Sequence, residues 1–94
     1  MLFALTCLDN PNSTGKRAEN RPAHLKYLEN HADQIVIAGP LTTDDGQISV
    51  GSLLILDMPD RESVVAFAEN DPYAKAGLFN SVSISAFRQT VPER

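Results

Sequence analysis

The sequence predicts an α+β domain built on an antiparallel sheet, and three observations carry that prediction. Four short runs rich in apolar or β-branched residues are interleaved with two longer helix-forming stretches. The two central runs are joined by a turn-rich connection, which makes their pairing local and antiparallel. Ninety-four residues suffice for one hydrophobic core and are too few for two, so residues 1–94 read as a single domain.

LFALTCL, residues 2–8, is the first strand, and the turn-rich DNPNSTG ends it. The following KRAEN extends the connection or forms an irregular first helical turn. STGKRAE, residues 13–19, has a lysine after a glycine but lacks phosphate-loop spacing, so its expected role is connection. In ENRPAHLKYLENHADQ strong helix formers follow Pro22, a residue suited to a helix start. Leu25, Leu28 and Ala32 then share one face at i, i+3, i+7.

QIVIAGPL, residues 34–41, reads as a buried strand because Ile35, Val36 and Ile37 are β-branched, with Gly39 and Pro40 ending it. LTTDDGQIS is a hairpin or longer turn, and VGSLLILDM is the third strand. ESVVAFAEN is the second helix, capped by Asp60, with Val64, Val65, Phe67 and Ala68 on its apolar side. DPYAKAGLF interrupts that helix: Pro72 suits the first position of a short new turn, Asp71 its cap, and Gly77 the bend beyond. SVSISAF, residues 81–87, alternates Val82, Ile84 and Ala86 with serines, the pattern of a half-buried strand.

The order is β-α-β-β-α-β, that of a ferredoxin-like domain with a four-stranded antiparallel sheet and two helices on one face. The other face is apolar and lacks a cover, for which a second copy of the chain is the economical source. A homodimer is therefore expected.

Composition excludes several classes of partner. The formal charge is −4 with a pI near 4.9, and the eight bases form no stripe that could follow a phosphate backbone, so no nucleic acid is expected. Cys7 is the lone cysteine, which excludes an internal disulfide and points to a reducing compartment. MLFALTCLD lacks the basic start of a secretion signal, and no apolar run approaches the roughly 20 residues that cross a bilayer. A soluble cytoplasmic protein without a membrane partner is the expectation.

One long-range pairing carries chemistry. In this topology the two helices run antiparallel, so the start of the first, with His24, lies at the same end of the domain as the end of the second, with Asp71. A carboxylate beside an imidazole fixes its orientation and favours its charged form, giving a proton donor or acceptor near neutral pH. The same pair also serves as a plain structural ion pair. Arg21, one turn before His24, is either a surface cation or a holder of an anionic group of a ligand, and Tyr73 either packs in the core or between subunits or donates a phenolic hydrogen bond. Gly39 permits close backbone approach and offers an amide, and Ser83 is a polar candidate on the last strand. His31 lies along roughly the same side of the helix as His24, but no metal-ligand spacing accompanies it. Asp44-Asp45-Gly46 reads as a turn, not a calcium loop. Without a dinucleotide fingerprint or P-loop, neither a metal nor a cofactor is expected.

The chain also resembles the YciI-like family of small α+β-barrel proteins. LFALTCLD, RPAHLKYL, IAGPL, GSLLILD and ENDPYAKAGLF carry the resemblance, which covers nearly the whole chain. Each motif is weak alone; their order and spacing together are specific. The resemblance implies a dimeric α+β barrel with a cleft holding a histidine and an aspartate, at positions matching His24 and Asp71. It further implies a small, anionic or aromatic ligand and an enzyme of acid/base elimination or isomerisation; the alternative is a non-enzymatic ligand-binding or accessory domain.

Overall fold

A computed structural model describes residues 1–94. β1 (Leu2–Asp9) is followed by α1 (Thr14–Glu29), a 3-10 turn (Ala32–Gln34), β2 (Ile35–Thr42) and β3 (Ser49–Asp57). α2 (Arg61–Asn70), the one-turn α3 (Pro72–Lys75) and β4 (Phe79–Phe87) complete the chain. The four strands form one sheet in the order β2-β3-β1-β4 with every pairing antiparallel, the arrangement expected from the element order.

Strand alternation sorts the sheet into two faces. Leu5 lies opposite Leu54 and Ile84, and with Phe3, Cys7 and Leu56 it faces the helices, where Val64 and Phe67 of α2 close the core. Thr6 lies opposite Leu53 and Ser83 on the other face, which no element of the chain covers. Leu8, Ile37 and Leu53 on that face are 46%, 63% and 38% exposed.

Three expectations need correction. α1 starts at Thr14, eight residues before Pro22, so STGKRAE is mostly helix rather than connection. Pro22 sits inside α1, exposed to solvent. Ala32 falls beyond the helix end and Leu25 is exposed, so of the predicted face only Leu28 packs against the core, while the residues that α1 buries fully are Arg17 and His24, seven apart on one stripe. Finally, β2 is an edge strand with five of its eight residues exposed, and it runs through Gly39 and Pro40 instead of ending there. Proline is tolerated because an edge strand leaves one row of amides unpaired.

The turns behave as their residues require. Asp60 caps α2 by accepting from the Ser63 amide at 2.8 Å. Gly77, at φ 74°, turns the chain from α3 into β4, a left-handed conformation that costs glycine little.

Candidate active site

The site lies on the helix side of the sheet, in a hollow of about 270 Å3 between α1, the β2–β3 hairpin and α3. His24 and Tyr73 line it, as do Ser52 and Leu54 of β3. His24 is two-thirds of the way along α1, not at its start as the shorter predicted helix implied. It still meets Asp71, because α3 folds back against α1 beyond the end of α2.

Asp71 has two tasks and performs both with one oxygen. Its Oδ1 accepts the Tyr73 amide at 2.9 Å, capping α3, and lies 2.8 Å from Nδ1 of His24. Both side chains are over 90% buried. The backbone of the turn thus aims the carboxylate, and the carboxylate fixes the imidazole. An ionised carboxylate only accepts, so Nδ1 carries the proton and Nε2 is left with a lone pair when the ring is neutral. Nε2 has no partner in the chain, yet no buried side-chain nitrogen or oxygen lacks one. It is therefore reached from the hollow.

Tyr73 organises the rest of the wall. Its ring stacks on His24 with centroids 3.9 Å apart and planes 13° from parallel, and the Arg17 guanidinium lies 4.7 Å from its centroid. Burial pushes the phenol pKa up, and nearby Arg17 and Arg21 offset only part of that rise. The hydroxyl is consequently a donor at neutral pH.

Arg17 was missed in the sequence because its segment read as connection. Its Nε donates to Asp9 Oδ2 at 2.7 Å, and Nη2 donates to Asp9 Oδ1 at 2.9 Å and to Ser52 Oγ at 3.0 Å. Burial works against its charge, but the paired carboxylate outweighs that cost and holds its pKa above the ordinary guanidinium value. The available signal was helical spacing, since residue 17 precedes His24 by two turns.

Of the other candidates, Arg21 lines the hollow, exposed and free of any ion pair. Gly39 lines it too, in ordinary strand geometry with open space where a Cβ would stand, so no unusual dihedral explains the glycine. Ser83 does not join them. It is exposed on the uncovered face, opposite Thr6, because its strand register turns it away from the helices. His31 is also elsewhere, packed on Tyr27 and Phe67 with its Nδ1 2.9 Å from the Tyr27 carbonyl. No three His, Cys, Asp or Glu side chains converge as a metal would need.

The YCII-related domain model matches residues 1–88, which spans the sheet, the helices and this hollow. The chain belongs to the YCII-related family. It is similar to Protein YciI of Escherichia coli O6:H1 and of Shigella flexneri, each 33% identical over 95% of this chain and 98% of the relative. Among solved structures it resembles the 5-chloro-2-hydroxyhydroquinone dehydrochlorinase TftG of Burkholderia phenoliruptrix AC1100, in complex with 2,5-dihydroxybenzoquinone. That similarity has a TM-score of 0.90 and 35% identity and covers all of both chains. No helix is long and apolar enough to cross a membrane.

Proposed function

We propose that this protein is a small-molecule enzyme that moves a proton on a planar, oxygen-bearing ring, in an elimination or isomerisation, with His24 as the base. The observation that carries this reading is the bare Nε2 of a histidine whose other nitrogen is fixed by a buried carboxylate. Nε2 takes a proton from an O–H or C–H of the ring, leaving the electron pair in the ring system. In an elimination the same nitrogen first returns that proton to the ring carbon bearing the leaving group, which becomes tetrahedral. Nε2 then takes a second O–H proton, that electron pair expels the anion from the tetrahedral carbon, and the second proton passes to solvent. In an isomerisation the same nitrogen returns the proton to a different atom. Neither route consumes an oxidant or reductant.

Asp71 stabilises the imidazolium formed on the way, and Arg21 positions an anionic group of the substrate. Tyr73 donates its phenolic hydrogen to a ring oxygen. Gly39, at the rim, offers its backbone for close approach. The hollow, at about 270 Å3, lies just under the range of roughly 300–1,000 Å3 typical of ligand pockets, which suits one ring. TftG, named as a dehydrochlorinase and seen with a dihydroxybenzoquinone, supplies the ring chemistry by analogy.

A homodimer formed through the uncovered sheet face belongs to the same proposal, because the exposed Leu8, Ile37 and Leu53 need a second apolar layer.

The test is chloride release from 5-chloro-2-hydroxyhydroquinone by purified wild type and His24→Ala, with far-UV circular dichroism and oligomeric state matched. Wild type should exceed buffer, and His24→Ala should lose at least about 100-fold, the lower range for a general base. Equal rates in the two proteins refute the assignment. Binding of 2,5-dihydroxybenzoquinone without turnover of any chlorinated or hydroxylated ring favours the non-enzymatic ligand-binding reading instead.

A further inference from the structure

The hollow beside His24 does not end at its two arginines. Arg17, Arg21 and Ser49 border both it and a second recess of about 450 Å3, which lies between the first half of α1 and the β2–β3 turn. Thr14, Ala18, Gln47 and Ile48 complete that recess.

Charge across the two recesses is one-sided. Neither is lined by any Asp or Glu, although the chain has twelve acids against eight bases. Arg17 is neutralised by Asp9, whereas the Arg21 side chain has no carboxylate within ion-pair distance and makes no hydrogen bond in the chain. The joined wall therefore carries one uncompensated guanidinium, and it stands where the recesses meet. A lone guanidinium with five donors and no internal acceptor matches an external carboxylate.

The far wall is built rather than loose. The Thr43 amide donates to the Ile48 carbonyl at 2.9 Å, the Gly46 amide to the Thr43 carbonyl at 2.8 Å, and the Gln47 amide to Asp45 Oδ1 at 3.0 Å. Ile48 nevertheless remains 48% exposed, an apolar side chain left at the mouth of the recess.

We propose that the second recess is a specificity site for a carboxylate-bearing side chain on the ring. Resting on the ring placement proposed above, the ring occupies the His24 hollow, Arg21 grips the carboxylate at the junction, and Ile48 packs against the carbons between them. The site thereby selects a ring acid over the bare ring and over its neutral esters.

Isothermal titration with 2,5-dihydroxyphenylacetate and its methyl ester tests this on the dimeric wild-type protein, Arg21→Gln and Ile48→Trp. In wild type the acid should bind at least about tenfold more tightly than the ester, the worth of one charge-assisted hydrogen bond. Arg21→Gln should equalise the two. Ile48→Trp, which fills the recess, should weaken the acid while leaving 2,5-dihydroxybenzoquinone unchanged. Equal affinities in wild type, no binding of either compound, or a preference that survives Arg21→Gln each overturn the proposal. If the quinone binds but acid and ester bind alike, this inference alone fails. If the acid is preferred while chloride release is indifferent to His24, the catalytic reading fails and the specificity site stands.

Discussion

Replacing Asp9 with leucine removes the carboxylate that neutralises Arg17, whose side chain is 10% exposed beside an Asp9 side chain at 6%. Two of the three hydrogen bonds of the guanidinium vanish, leaving a buried cation held only by the Ser52 hydroxyl and the Tyr73 ring. Orphaning one partner of a buried pair costs about 3–5 kcal/mol, whereas replacing both with apolar groups of similar volume is often neutral or stabilising. Asp9→Leu should therefore lose about 3–5 kcal/mol, and Asp9→Leu/Arg17→Met should return to within about 1 kcal/mol of wild type. At roughly 4–8 °C per kcal/mol for a domain of this size, the single variant should melt at least about 10 °C lower. Urea unfolding of wild type, both singles and the double at one protein concentration gives the coupling energy. A loss below about 1 kcal/mol in Asp9→Leu, or a double as unstable as that single, would refute the claim that pairing carries Arg17 into the interior.

Other outcomes follow from the same geometry. Cys7 is 2% exposed, and burial, with Asp71 and Asp9 nearby, pushes its pKa up to about 12, so iodoacetamide at pH 8 should leave the folded protein unmodified. Burial also raises Tyr27 and Tyr73, so the folded state keeps protons that the unfolded chain releases. The stability these three groups contribute should be full below about pH 8.5, the ordinary thiol value, and decline as pH climbs toward 12; a urea midpoint that rises over that window contradicts this. Gly77→Ala should cost about 1–2 kcal/mol from its positive φ, despite having only Lys16 Nζ, at 3.9 Å, near the added methyl. Leu53→Glu with Ile37→Glu on the uncovered face should turn the proposed dimer into a monomer in light scattering, and an unchanged mass would contradict a dimer through this face.

Much of the fold was legible because local signals agreed with one another. The apolar run of β1, the Asp60 cap and the Asp71-Pro72 restart each marked its element, and the short turn between β2 and β3 forced an antiparallel pair. The His24–Asp71 pairing followed from topology even though the helix boundary behind it was misplaced. What failed did so for identifiable reasons. Pro22 resembles a helix start, but an exposed proline within a long helix loses one amide bond and still fits. β2 looks buried because Ile35, Val36 and Ile37 are β-branched, yet composition does not separate an edge strand from a central one. Arg17 was hidden because STGKRAE reads as a connection rather than a helix, and only its eight-residue return to Asp9 accounts for its burial. For Ser83, alternation identified the solvent-facing set correctly, and the same alternation removes it from the hollow.

The proposed proton transfer depends on a single tautomer. Nitrogen-15 NMR of the two His24 ring nitrogens distinguishes the candidates in the neutral ring. The account predicts a proton on Nδ1, a bare Nε2, and movement of the Nε2 resonance when the quinone is added. A proton on Nε2 with Nδ1 bare, or an Nε2 signal indifferent to a bound ring, would contradict it.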